Sequence, residues 1–117
     1  MAVDHDVIIR PHAIWWVLVL GGLALFVAIG LHPDVYAYWI NNVHALPEPS
    51  VLHIVLWAAL GLHVFEGWYC FQSAQKIGLS KSAKDWGIQS FLIGYPSTRL
   101  FLRLRERIEA EKSVEEA

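Results

Sequence analysis

The sequence predicts an all-α integral membrane protein. It has about three transmembrane helices, a short interfacial helix and a partly solvated C-terminal helical extension. Three observations carry this. First, 56% of the 117 residues are hydrophobic and 17% are charged, against about a quarter charged in soluble domains. A chain this short cannot bury so much apolar surface in a core of its own, so the excess must face lipid or partners. Second, Ala13 to Leu31 is an uncharged apolar run. At about 1.5 Å rise per residue it crosses a hydrocarbon core of roughly 30 Å. Third, six Trp and four Tyr are many for this length, and such rings favour the bilayer interface.

The same numbers narrow the function. A net charge of −2 argues against a nucleic-acid partner, because phosphate binding needs a clustered positive surface. The single cysteine, Cys70, rules out an intrachain disulfide and a Cys-based zinc cluster.

Taken in order, residues 1–117 read as a single membrane domain. The start, with Asp4, His5 and Asp6 ahead of Arg10, is not the basic start of a cleavable signal. The following run ends in Leu31-His32-Pro33 and not in a small-residue cleavage site. A retained anchor over 13–31 is therefore expected. Trp15 and Trp16 form an interfacial belt at one end of it. Gly21, Ala24 and Ala28 form a small-residue stripe, which either admits a second helix or simply reflects how common small residues are in spans. Pro33 ends the helix. Residues 32–50, closed by Pro47 and Pro49, are too short and polar to cross. Asp34 can cap a short helix there, and Tyr36, Tyr38 and Trp39 suit one lying flat at headgroup level.

Ser50 reads as the cap of a second span over 51–74, which His53, His63, Glu66 and Gln72 interrupt. Lys76, Lys81 and Lys84 mark a basic turn. A third span is expected over 86–102, kinked at Pro96, with a polar tail at 103–117 that keeps a helical pattern and then frays into solvent. The charges resist this topology. The 32–50 loop has no Lys or Arg, which puts it outside and the 76–84 turn inside. A third crossing then carries Arg103, Arg105 and Arg107 outside, against the rule. A segment that bends back at Pro96 is the alternative to three spans.

The informative stretch is His63-Val-Phe-Glu66-Gly-Trp-Tyr69-Cys70-Phe-Gln-Ser73. At 100° per residue, His63, Glu66, Cys70 and Ser73 share one stripe. Gly87, Ser90, Gly94 and Ser97 repeat the spacing on the next segment, so the two stripes can pack face to face. A carboxylate in hydrocarbon is costly unless neutralised, paired or hydrated, and so marks a site by default.

Four readings compete. One is an interhelical polar clasp, in which His63 and Glu66 bond each other and the neighbouring helix. Arg99 reaches Glu66 only if Pro96 bends the chain. Another is a pocket for a lipid or sterol-like ligand lined by Trp57, Phe65, Trp68 and Tyr95, with His63 and Glu66 orienting the ligand. A third is proton transfer between His63 and Glu66, as in a lipid isomerase. The last is a metal or haem site. For that, His63-x-x-Glu66 offers too few ligands, and His53 lies about 80° round the helix from His63, sharing no clear face with it.

The residues from Trp57 to Arg103 resemble a known family. Trp57 precedes His63-x-x-Glu66-x-x-Tyr69, followed by Lys76-x-Gly78 and by Trp86-x-x-Gln89-x-Phe91-x-x-Gly94-x-x-Ser97. This pattern resembles the small membrane protein family typified by transmembrane protein 254. The resemblance implies a plan of about three hydrophobic segments and singles out the same polar residues, but it implies no activity. The first span and the aromatic loop match only in general character, and the acidic finish departs from the family's basic C-terminal end.

The expectation is a non-enzymatic, multi-pass membrane protein that works by association. It would be an accessory subunit of a membrane complex, a homo-oligomer, or a module that binds membrane lipid or sterol. The cofactor is unidentified. The candidate ligand or helix-contact residues are His63, Glu66, Tyr69, Cys70, Gln89, Gly94, Tyr95, Ser97 and Arg99. His63, Glu66, Tyr69 and Gln89 form the expected polar centre.

Overall fold

The computed structural model describes residues 4–116. Five helices follow in order: α1 (Ala13–Leu31), α2 (Pro33–Asn42), α3 (Pro49–Lys76), α4 (Ala83–Ile93) and α5 (Tyr95–Glu116). In α1 the His12 imidazole accepts from the Ile14 N–H at 3.1 Å, and so supplies the start signal that the apolar run lacks. Pro33 opens α2 immediately after α1 ends. Tyr36 ties α2 to the following loop by donating its hydroxyl to the Pro47 carbonyl at 2.9 Å. Pro49 occupies the first position of α3, with Glu48 as the cap residue. Ser50 therefore lies inside the first turn and is not the cap, because Pro, with its fixed φ and missing N–H, is preorganised for that first position.

α1 and α3 are long and apolar enough to cross a membrane. Only 11% of the apolar window in each is buried within the chain, where a soluble core helix would be mostly buried. The expected third span is not there. Among the described residues there are two such helices, not three, because the segment from 86 to 102 is broken at Gly94. That residue takes φ 75 and ψ −130, a left-handed combination that stops helical propagation and favours glycine. The break falls at Gly94 itself. Pro96 sits in the first turn of the next helix, where its missing N–H costs nothing.

Past the break the chain reverses. Ser97 returns to Ser90 at 3.0 Å, and the Phe101 ring meets Trp86 edge-on, with centroids 5.5 Å apart. α4 and α5 thus form a helical hairpin. α4 has 11 residues and is about 16 Å long, roughly half a hydrocarbon core. The C-terminal extension is helical over its described residues. α5 stays helical to Glu116 and buries Leu104 and Ile108, because its apolar positions recur at helical spacing and face the hairpin.

α3 and α4 pack closely through two glycines. A Cβ on Gly67 would lie 2.9 Å from the Gly87 carbonyl oxygen, and one on Gly87 would lie 3.1 Å from Phe71 Cβ. The buried core gathers at this end of the molecule, around Cys70, Ala74, Leu79, Ala83, Trp86, Phe101, Leu104 and Ile108. The N-terminal segment closes it. Asp6 accepts from the Ser82 N–H (2.7 Å), the Ser82 hydroxyl (2.8 Å) and the Lys81 N–H (3.0 Å). Ser82 is the cap residue of α4 but makes no side-chain capping bond, and the Asp6 carboxylate holds the N–H groups just ahead of the helix, where its dipole favours negative charge. His5 Nε2 lies 2.9 Å from a Glu111 carboxylate oxygen.

Candidate functional site

α3 organises both polar features of the molecule. Toward α4 and α5, the Gly94 break leaves the Phe91 carbonyl without its usual partner four residues on. His63 replaces that partner, donating through Nδ1 to the Phe91 oxygen at 2.6 Å. The other end of α3 repeats the device. α1 stops at Leu31, and His53 Nε2 donates to the Gly30 carbonyl at 2.6 Å. Two histidines on one helix therefore cap the last turns of two others. Side chains from a neighbouring helix commonly satisfy freed carbonyls at membrane depth.

Glu66 lies on the same stripe as His63. A Cβ on Gly94 would sit 2.9 Å from Glu66 Oε2 and 3.2 Å from His63 Cε1, so the turn packs closely against these side chains, while its positive φ of 75 is what favours glycine. His63 and Glu66 share the turn but do not bond each other among the described residues, since the His63 donor is spent on Phe91. Glu66 also makes no ion pair there with Arg99, which is exposed on α5.

Below the turn a directional hydrogen-bond chain runs through the buried polar residues. Gln89 Nε2 donates to Ser97 Oγ at 3.0 Å. The Ser90 hydroxyl donates to Cys70 Sγ at 3.2 Å, which makes Ser97 the donor in the 3.0 Å Ser97–Ser90 contact. The Cys70 thiol donates to Thr98 Oγ1 at 3.8 Å, and Thr98 donates to the Gly94 carbonyl at 3.2 Å. Gln89 also reaches the Ile9 carbonyl at 2.9 Å. Such a chain fixes the register of three helices and the N-terminal segment, each bond polarising the next. Gln89 Oε1 and Trp86 Nε1 remain buried without a partner among the described residues.

The expected polar centre is thus divided among three places. His63 and Glu66 hold the turn. Gln89, Ser90, Cys70, Ser97 and Thr98 form the chain beneath it. Tyr69 stands apart, its hydroxyl accepting from Arg105 at 2.7 Å with the guanidinium 5.9 Å from the ring centroid. Tyr95 is 65% exposed and, like Arg99, joins none of them.

The expected pocket is elsewhere too. A groove of about 400 Å³ runs between α1 and α3 and reaches α4. Leu20, Leu23, Val27 and Leu31 line it from α1. His53, Leu56, Trp57, Ala59, Leu60 and His63 line it from α3, and Phe91 and Leu92 from α4. Trp57 and His63 were expected there. Glu66, Phe65, Trp68 and Tyr95 do not line it, because they project from other sides of their helices. His53, set aside as sharing no face with His63, lines the same groove. The signal was present in the spacing: 53, 56, 60 and 63 advance by three, four and three, the pattern of one helical stripe.

A profile of the family described as transmembrane protein 254 matches residues 14–103. The chain belongs to the transmembrane protein 254 family. The match takes in α1, so the first span belongs to the family pattern as fully as the stretch from Trp57 onward. It also takes in the groove, both capping histidines and the Gly94 hairpin. The Asp6 segment and the acidic end of α5 lie outside it. With two helices long and apolar enough to cross, membership of a transmembrane protein family places this chain among membrane proteins. No curated protein and no solved structure matches this member of the transmembrane protein 254 family.

Proposed function

We propose that this member of the transmembrane protein 254 family is a multi-pass membrane protein that binds an apolar ligand of the lipid class and acts by holding it, without chemistry. The observation that carries the reading is the α1–α3 groove. Its volume of about 400 Å³ falls within the range of small-molecule sites, which pair apolar walls with a few placed polar groups. Here the walls are leucine and aromatic carbon, and the polar groups are His53 and His63.

On this reading α1 and α3 cross the bilayer and the α4–α5 hairpin enters it only partway. The hairpin returns Arg103, Arg105 and Arg107 to the side of Lys76, Lys81 and Lys84. The conflict with the positive-inside rule then disappears. The proton-transfer reading has less support, since the His63 donor is committed to Phe91 and Glu66 does not line the groove.

The test is native mass spectrometry of the protein released gently from its membrane. The wild type should carry a defined apolar mass, and Ala59→Phe, which fills the groove, should lose it. Bare protein in both cases would contradict the proposal. Association with a second chain is the other reading. Gly21 and Gly22 on α1 and Gly61 on α3 favour it, since each has nothing within 4 Å of an added Cβ and so leaves room for another helix. A stoichiometric partner mass without a small ligand would support that reading instead.

A further inference from the structure

We propose that the groove selects an apolar alcohol, a sterol or long-chain alcohol, whose hydroxyl donates to His53. This deepens the groove reading and rests on it. Which imidazole nitrogens carry protons decides what the groove can accept. His53 Nε2 lies 2.6 Å from the Gly30 carbonyl oxygen. A carbonyl can only accept, so the proton is on Nε2, and in the neutral ring Nδ1 keeps a lone pair. His63 is fixed in the opposite sense. Its Nδ1 holds the proton against the Phe91 carbonyl at 2.6 Å, leaving Nε2 as the acceptor. Capping two helix ends has therefore set two tautomers, and each ring has an acceptor left over.

A groove lined by the His53 imidazole, whose Nδ1 lone pair is left over, complements a ligand that brings a donor. A hydroxyl qualifies. A phosphatidylcholine brings only acceptors, the ester carbonyls and phosphate oxygens, and would set lone pair against lone pair. Trp57 adds an N–H to the lining, on a side chain that is 72% exposed. A ketone could use that donor but not the histidines.

His63 Nε2 packs against the Gly94 turn beside Glu66, which leaves His53 as the ring available to a ligand. It lies one turn into α3, about 6 Å from the Pro49 end, while His63 lies roughly 15 Å further in. An amphiphile enters a bilayer with its polar group outermost. The hydroxyl therefore meets His53, and the apolar body runs along Leu56 and Leu60 toward Phe91.

The experiment changes the ligand and leaves the protein intact, so that capping is undisturbed. The full chain in detergent micelles is titrated with cholesterol, its 3-methyl ether and its 3-ketone, with retained mass read by native mass spectrometry. The alcohol should bind up to roughly tenfold more tightly than either analogue, the scale expected for one net hydrogen bond. Equal retention of the alcohol and the ether overturns the hydroxyl assignment and leaves the groove reading intact. If none of the three is retained, and Ala59→Phe changes nothing with any lipid, the groove reading fails as well.

Discussion

The imidazole of His63 and the carbonyl oxygen of Phe91 stand 2.6 Å apart, and that bond pins the end of α4 to the middle of α3. It exists because Gly94 ends α4 where a span would have continued. The reversal therefore rests on a glycine that permits the turn and a histidine that satisfies the carbonyl the turn exposes.

His63→Phe should leave that carbonyl unsatisfied and destabilise the protein by about 1 kcal/mol, the scale of interhelical bonds in membranes. His53→Phe should cost less, because His53 is the more exposed and water or headgroups can replace it. Thermal unfolding of both variants in the same detergent checks the order. Equal and negligible shifts would remove the capping role.

The glycines make a contrasting set. Gly94→Ala combines a positive φ of 75 with a Cβ 2.9 Å from Glu66, and should cost at least about 2 kcal/mol. Gly67→Ala should cost about 1–3 kcal/mol by forcing α3 from α4. Gly61→Ala meets open space within a helix and should be neutral or stabilising by up to about 1 kcal/mol. Melting temperatures in that order support the packing, whereas a destabilised Gly61→Ala argues against it.

Asp6 gives a pH dependence. Desolvation pushes its carboxyl up, but the Ser82 hydroxyl, the Lys81 and Ser82 N–H groups and the Lys81 charge outweigh this and hold it below its ordinary 3.8. A depressed carboxyl favours the folded contact above the unfolded value and loses it as pH falls through the lower folded value. The N-terminal segment should therefore stay docked at neutral pH and release in acid below about pH 4. Asp6→Asn should release it at every pH. Hydrogen exchange at the Lys81 and Ser82 amides reports both, and protection that ignores pH and the substitution alike would sink the idea.

Topology is open to labelling. With Cys70 buried, single cysteines placed at His5, Ser80 and Ala110 should react from the same side of the membrane, and one at Tyr38 from the other. Ala110 reacting with Tyr38 would restore a third span and refute the hairpin.

The two long helices were legible because lipid-facing residues must be apolar all round, so Ala13–Leu31 announces itself by composition. The polar stripe was legible because 63, 66 and 70 repeat at helical spacing. The reversal was not. A single Gly and a nearby Pro are compatible with a kink, a break or a turn, and what selects the turn is Trp86 meeting Phe101, a contact no local pattern reveals. The Asp6 contact was equally hidden, since its partner Ser82 lies far along the chain. The groove was missed for a different reason: Leu56 and Leu60 look like ordinary lipid-facing positions until α1 is laid against them.

Occupancy of that groove is tested most directly by photocrosslinking the protein in its membrane with a photoactivatable cholesterol and mapping the adducts by residue. The account predicts adducts concentrated on Leu20, Leu23, Leu56 and Leu60. Adducts spread equally over the outward-facing Ile54, Leu62 and Trp68, which are at least as open to lipid, would contradict it.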